Sequence, residues 1–271
     1  MIEQISDNVP KSPSEYIGED GIKRCAVCGQ ATETIINILG EKRKVHCICD
    51  CRKKELQAAR EKEDEEEKRR NRTICFGKSA LSECKFENSH DSEMLRIGKR
   101  YAEQFDGFKA SGKGLLFCGT VGTGKSHASA CIANRLIDDG HKVLMTNFAT
   151  MVNILQSSFD GRQEYIDGLN RYALLIIDDL GAERESEYMQ EQVFNIIDSR
   201  YRSGLPMIIT TNLTTEEIKK ASDIGKRRIY DRVLERCHPV VMNGQSIRRQ
   251  KVKNDFPQME MALKGEEKWN L

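Results

Sequence analysis

The stretch that most limits what this chain can become is Gly119-Thr120-Val121-Gly122-Thr123-Gly124-Lys125-Ser126, which spells G-x-x-x-x-G-K-S. The run before it, Gly114-Leu115-Leu116-Phe117-Cys118, is short and apolar, as a buried strand is. The run after it, residues 127–139, repeats apolar side chains at helical spacing through Ala128, Cys131, Ile132 and Leu136. A strand leading into this pattern and a helix leaving it are the context of a phosphate-binding P-loop. The glycines let backbone N–H groups turn inward, and the helix N-terminus adds the positive end of its dipole. Lys125 is placed to reach the β- and γ-phosphates of a nucleotide, and Ser126 to hold Mg²⁺. A glycine-rich turn that binds nothing would leave the lysine, the hydroxyl and both flanking elements unexplained.

With 271 residues the chain has room for one domain and a small accessory, or for two modest domains. No apolar run approaches the roughly 20 residues that span a bilayer, so no membrane partner is expected. The first ten residues carry acids and no apolar core, which argues against a secretory signal and for a cytoplasmic protein. Lys plus Arg (43) nearly cancels Asp plus Glu (42), so only local clusters of charge can speak about nucleic acid. Of ten cysteines, five fall between Cys25 and Cys51; in a reducing compartment that clustering points to metal rather than disulfides.

Residues 1–51 are expected to form a zinc-binding module. Residues 1–20 read as a flexible lead-in, followed by the knuckle Cys25-Ala26-Val27-Cys28-Gly29. Residues 34–39 and 42–48 read as two strands joined at Gly40-Glu41, delivering Cys47, Cys49 and Cys51 at alternating positions. Two pairs of thiolates make a closed tetrahedral Zn²⁺ site, a structural one, and its binding energy folds a segment too short for a core. Cys25 and Cys28 are the first pair. Cys49 and Cys51 are favoured for the second, with Cys47 as alternate and His46 behind it. Residues 52–72 form a highly charged linker helix with Glu–Lys pairs three or four apart.

Residues 73–252 are read as the nucleotide domain, with a helix over 92–108 ahead of the P-loop strand. After the P-loop helix come a second strand over 142–146 and a helix over 149–158. The run Tyr172-Ala173-Leu174-Leu175-Ile176-Ile177-Asp178-Asp179 then fits a central parallel strand buried on both faces and ending in two carboxylates. Asp178 is the expected Mg²⁺ acid, and Asp179 the group that polarises the attacking water. A helix over 187–202 leads to the strand Met207-Ile208-Ile209-Thr210-Thr211-Asn212. If the three strands are neighbours, Asn212 lies beside the γ-phosphate, since ligands of open α/β sheets bind at the carboxyl edge. No Asn-Lys-x-Asp run that would read guanine occurs, which favours ATP. Lys226, Arg227, Arg228, Arg232 and Arg236 crowd one helix. Three readings of that cluster stand: a solvated face, a nucleic-acid patch, or the source of an arginine that acts on a neighbour's γ-phosphate. The tail over 253–271 is polar and expected to be disordered.

The order of these parts resembles the AAA+ ATPases of the DnaC/IstB type, which include bacterial and phage helicase loaders. The likeness covers roughly residues 73–250. It rests on the P-loop, Ile177-Asp178-Asp179-Leu180-Gly181, Thr210-Thr211-Asn212, Asp231-Arg232 and Gly244-x-Ser246-x-Arg248. The fold it implies is α/β, an AAA+ P-loop NTPase with a mostly parallel sheet between helices, preceded by a small zinc-ribbon-like β module. The resemblance further implies Asn212 as sensor, Arg232 as the finger in trans with Arg228 and Arg236 as rivals, and Arg248 as a sensor-2-like nucleotide contact. It implies a homo-oligomer joined at the nucleotide, a replicative DNA helicase as partner through residues 1–51, and single-stranded DNA as ligand. By the same likeness Phe159 and the helix before it are implied to touch single-stranded DNA, the ring serving as a stacking platform for a base; a core or cap role for Phe159 is the alternative. Asp179 stands where many AAA+ proteins have Glu, which implies slow or partner-stimulated hydrolysis. Two other readings compete with a loader: a transposition helper ATPase of the IstB type, and a zinc adaptor whose nucleotide is structural.

Overall fold

The two ends of the chain fold around different kinds of interior. The computed structural model describes residues 14–38, 40–89, 92–157, 161–181, 187–242 and 246–264, in two compact units, Met1–Arg69 and Arg70–Leu271.

In the first unit β1 (Glu15–Ile17) pairs antiparallel with β2 (Lys23–Cys25), and β3 (Glu33–Ile38) with β4 (Glu41–His46). The register Ile38↔Glu41 leaves a tight turn that Gly40 makes with φ 89°. The buried hydrophobic residues described in this unit are Cys25 and Cys49, whereas Ile35, Ile36, Ile38 and Val45 are between 38% and 50% exposed. Sulfur, not hydrocarbon, fills the interior. The helix α1 (Asp50–Phe76) begins here, with exposed pairs such as Arg52–Glu55 and Lys68–Glu65 along it. It extends beyond the expected 52–72 at both ends.

Residues 70–76 of α1 belong to the second unit, where Cys75 and Phe76 enter the core and Arg72 Nε donates to Asn134 Oδ1 at 3.0 Å. In place of one helix over 92–108 there are two, α2 (Glu93–Glu103) and α3 (Phe105–Ser111). The chain leaves helical geometry at Gln104, with φ −112° and ψ 20°. That break buries Phe105 while Phe108 stacks on Tyr101 at 4.9 Å, so three rings share one cluster.

The remaining elements alternate: β5 (Gly114–Gly119), α4 (Lys125–Asp138), β6 (Val143–Asn147), α5 (Phe148–Ser157), α6 (Arg162–Gly168), β7 (Leu174–Leu180) and α7 (Glu187–Ser203). They continue through β8 (Met207–Thr211), α8 (Thr215–Lys219), α9 (Ile224–Arg236), β9 (Cys237–Met242) and α10 (Ile247–Leu263). The strands form one five-stranded parallel sheet in the order β6-β7-β8-β5-β9. Successive side chains point to opposite faces. Phe117, Ile176 and Ile208 therefore join one apolar cluster, and Leu116, Ile177 and Ile209 the other. Both faces are covered by helices, which is why these strands read as unbroken apolar runs. This is the α/β, AAA+-type architecture the sequence implied. The expected disordered tail is corrected over 253–263, which continue α10. Among the described residues no helix is long and apolar enough to cross a membrane.

One buried charge ties the layers together. Arg200, 1% exposed on α7, donates to the carbonyls of Leu169, Tyr172, Ala173 and Pro206, clamping the approaches to β7 and β8. Burial lowers its pKa to about 10, still far above neutrality, so the guanidinium stays charged. Arg200→Ala strands those carbonyls without donors, and stability is expected to fall by about 3 kcal/mol or more. Urea unfolding checks this; a loss under about 1 kcal/mol would show that water replaces the clamp.

Candidate phosphate site and thiolate cluster

The phosphate loop is shaped by what its glycines allow. Gly119 has φ 134° and Gly122 φ 85°, both in the region that disfavours a side chain. A Cβ on Gly122 would sit 2.1 Å from Ser246 Oγ, and Ile247 N–H donates to the Gly122 carbonyl at 2.9 Å. The first turn of α10 thus rests on the loop, with Ser246 as its cap, accepting from Arg249 N–H at 3.3 Å. Thr123 Oγ1 donates to the Thr120 carbonyl at 3.0 Å, Val121 stands 62% exposed at the loop's tip, and Gly124 leads into α4.

Three adjacent strands end beside this loop, and their polar side chains are joined by hydrogen bonds. Lys125, 7% exposed, donates from Nζ to the carbonyls of Gly119 and Thr120, both at 2.8 Å, and to Asn212 Oδ1 at 2.9 Å. Asn212 Nδ2 donates to Asp179 Oδ1 at 2.8 Å. Ser126 Oγ lies 2.9 Å from both Asp178 carboxylate oxygens and donates to that group. Thr210 closes the circuit: its hydroxyl donates to Asp178 Oδ1 at 2.6 Å and accepts the Asp179 N–H at 2.9 Å. A register shift of β7 against β8 between Ile177 and Leu180 makes this reach possible. Asp179 takes φ 65° there, alone among the described non-glycine residues in having positive φ. A left-handed Asp at a strand end is a strained position of the kind that gathers at functional sites.

Sequence reasoning named Lys125, Ser126, Asp178, Asp179 and Asn212, and the fold brings them together. It gave Thr210 no role, although a β-branched hydroxyl beside the expected sensor was a signal. It also missed His127, whose ring sits between Cys84 Sγ at 3.2 Å and Ser89 Oγ at 2.8 Å, holding the segment ahead of α2 against α4. No motif marks that pairing.

The arginines divide differently. Arg232 is 27% exposed in its side chain and its Nε donates to Asp198 Oδ1 at 2.7 Å, so it is engaged within its own subunit. Arg236 lies over the Tyr201 ring at 4.7 Å, and Arg228 is exposed. The backbone of Arg248 is in the first turn of α10, but its side chain lies outside the described residues, as do Gly244 and Phe159.

In the first unit the sulfurs of Cys25, Cys28, Cys49 and Cys51 all lie within 4.8 Å of one another. Cys51 Sγ is 3.2 Å from Cys49 Sγ and 3.5 Å from Cys25 Sγ. Tetrahedral sites with metal–sulfur bonds of about 2.3 Å set sulfurs roughly 3.7 Å apart. The four fit one ion. Backbone N–H groups of Cys28 and Val27 hold the Cys25 thiol down to about 7. Cys51 is pushed up by the Cys49 sulfur beside it, then by burial and by Cys25, since adjacent thiolates repel without a cation between them. Cys47 stands apart from this set and points its sulfur at the Ala31 carbonyl at 3.4 Å. The order Cys-x-Cys at 49 and 51 is what obscured the choice from sequence.

Residues 54–255 match the family model described as IstB-like ATP binding protein, and the chain belongs to that family. Among its relatives is the replicative helicase loader DnaC of Escherichia coli K12, 33% identical over 159 residues, which are 55% of this chain and 62% of DnaC. The chain therefore spans less than two thirds of that relative's length. The replicative helicase loader DnaC of Buchnera aphidicola subsp. Baizongia pistaciae is 29% identical over 195 residues, 67% of this chain and 77% of its own. Among solved structures, DnaI superposes with TM-score 0.54 at 22% identity, covering 65% of this chain and 98% of DnaI. A putative primosome component from Streptococcus pyogenes serotype M3 gives 0.54 at 21%, covering 65% and 96%. These superpositions establish a shared fold.

Proposed function

We propose that this chain is an ATP-dependent helicase loader, a nucleotide switch that delivers a replicative DNA helicase to single-stranded DNA in the cytoplasm. The observation that carries the reading is the hydrogen-bonded set Lys125, Asn212, Asp179, Thr210, Asp178 and Ser126 across three strand ends, in a chain whose relatives are named helicase loaders. Backbone N–H groups of residues 119–126 and Lys125 hold the nucleotide phosphates. Ser126 and Asp178 hold Mg²⁺, which when bound neutralises charge on the phosphates. Asp179 orients the attacking water, with Asn212 fixing its carboxylate. The short, strained Asp179 supports slow, partner-stimulated hydrolysis. Arg232 from a neighbouring copy and Arg248 complete the site, which makes the working form a homo-oligomer.

Cys25, Cys28, Cys49 and Cys51 hold one structural Zn²⁺, and that module contacts the helicase. Its outward isoleucines support this, because Ile35, Ile36 and Ile38 serve no interior of their own. The family description also keeps a transposition helper in view, with a transposase in the helicase's place. The identity of the captured partner separates the two.

One zinc per chain is expected by atomic absorption. Cys25→Ser should lose the metal and unfold the first unit while nucleotide binding persists; stoichiometric zinc in that variant would contradict the ligand set. Removing the Lys125 charge should weaken ATP binding roughly thirtyfold, the worth of about 2 kcal/mol for a charge-assisted contact, with the fold retained. Lys125→Ala should accordingly lose ATP-dependent capture of the host replicative helicase in a pull-down. Absence of capture by the unmodified chain, with or without ATP, would remove the loader reading.

A further inference from the structure

The packing of α7 against α9 holds Arg232 in an arrangement that its proposed role at a neighbouring copy does not use. Asp198, 8% exposed on α7, faces two arginines at once: Arg232 Nε donates to Oδ1 at 2.7 Å and Arg202 Nε forms an ion pair with Oδ2 at 2.8 Å. The two donors differ in setting. Arg202 is 76% exposed in its side chain and Arg232 only 27%. The Arg232 guanidinium also lies 4.6 Å from the centre of the Phe194 ring, and its Nη1 donates to the Arg228 carbonyl at 3.2 Å. Carboxylate, ring and carbonyl hold it against its own subunit, whereas a group acting on a neighbour must point away.

We propose that Asp198 is a positioning residue that parks Arg232 in the lone subunit and yields it to the nucleotide phosphates of a neighbouring copy. The proposal rests on the reading of Arg232 as the residue that acts in trans. Sharing is what makes the exchange feasible. A nearly buried carboxylate stripped of its only cation is strongly destabilised, but Asp198 keeps Arg202 when Arg232 leaves. The incoming phosphates carry more negative charge than a carboxylate already divided between two arginines, so the guanidinium gains by moving.

The chemistry sets opposite signs for two substitutions. Asp198→Asn weakens the parking contact, so half-maximal ATP turnover should be reached at a lower concentration of the full chain, by roughly fivefold for one partly exposed ion pair. Arg202→Ala leaves Arg232 as the carboxylate's sole partner and should shift that concentration upward. Because Arg202 is largely exposed, its removal spares the fold and carries the test even if Asp198→Asn unfolds. A structural tie would lower thermal stability in both variants without moving turnover in opposite directions. The underlying reading is checked separately by mixing. Arg232→Ala and Lys125→Ala chains, each inactive alone, should regain turnover together, because the second donates Arg232 to the first. Failure of mixing removes the trans reading and the proposal with it. Successful mixing with an unchanged or same-signed pair of shifts overturns the parking role alone.

Discussion

Everything at the nucleotide edge depends on one hydroxyl that faces two ways. Thr210 gives its proton to Asp178 and takes the N–H of Asp179, so two carboxylates on consecutive residues are held in different orientations. Without that contact both acids would compete for the same space beside Lys125 and Ser126. The positive φ of Asp179 is the strain this geometry stores. It persists because β7 and β8 are buried on both faces and cannot slide to relieve it.

The two units are stabilised by unlike means. In the second, a parallel sheet is covered on both faces and even Arg200, the deeply buried guanidinium among the described residues, has every direction filled by carbonyls. In the first, strands of three and six residues have no apolar interior to bury, and four sulfurs stand in its place. A metal ion held by those four sulfurs would supply the folding free energy that a core supplies in the second unit. The module's isoleucines Ile35, Ile36 and Ile38 stay exposed.

Much of this was legible in the sequence, for identifiable reasons. Buried parallel strands appear as unbroken apolar runs, so Leu174–Leu180 and Met207–Thr211 could be found, and with them the acids and amide that follow. Spacing did not reveal contacts between distant elements. Nothing in the chain order announces that Asp198 meets Arg232, that Ser246 rests on Gly122, or that Ser89 caps His127. Aromatic packing overrode helical periodicity at Gln104, and α10 formed where polar composition suggested no order. Composition measures solubility better than it measures helicity.

The central claim is that Ser126 and Asp178, joined at 2.9 Å, form the Mg²⁺-dependent part of a nucleotide site that Lys125 and the loop amides complete. Calorimetric titration of ATP into the full chain, with and without Mg²⁺, tests it most directly. The account predicts tighter binding with the metal, by roughly tenfold, and loss of that increment in Ser126→Ala while metal-free binding stays within about twofold. An equal gain from Mg²⁺ in both proteins would contradict it.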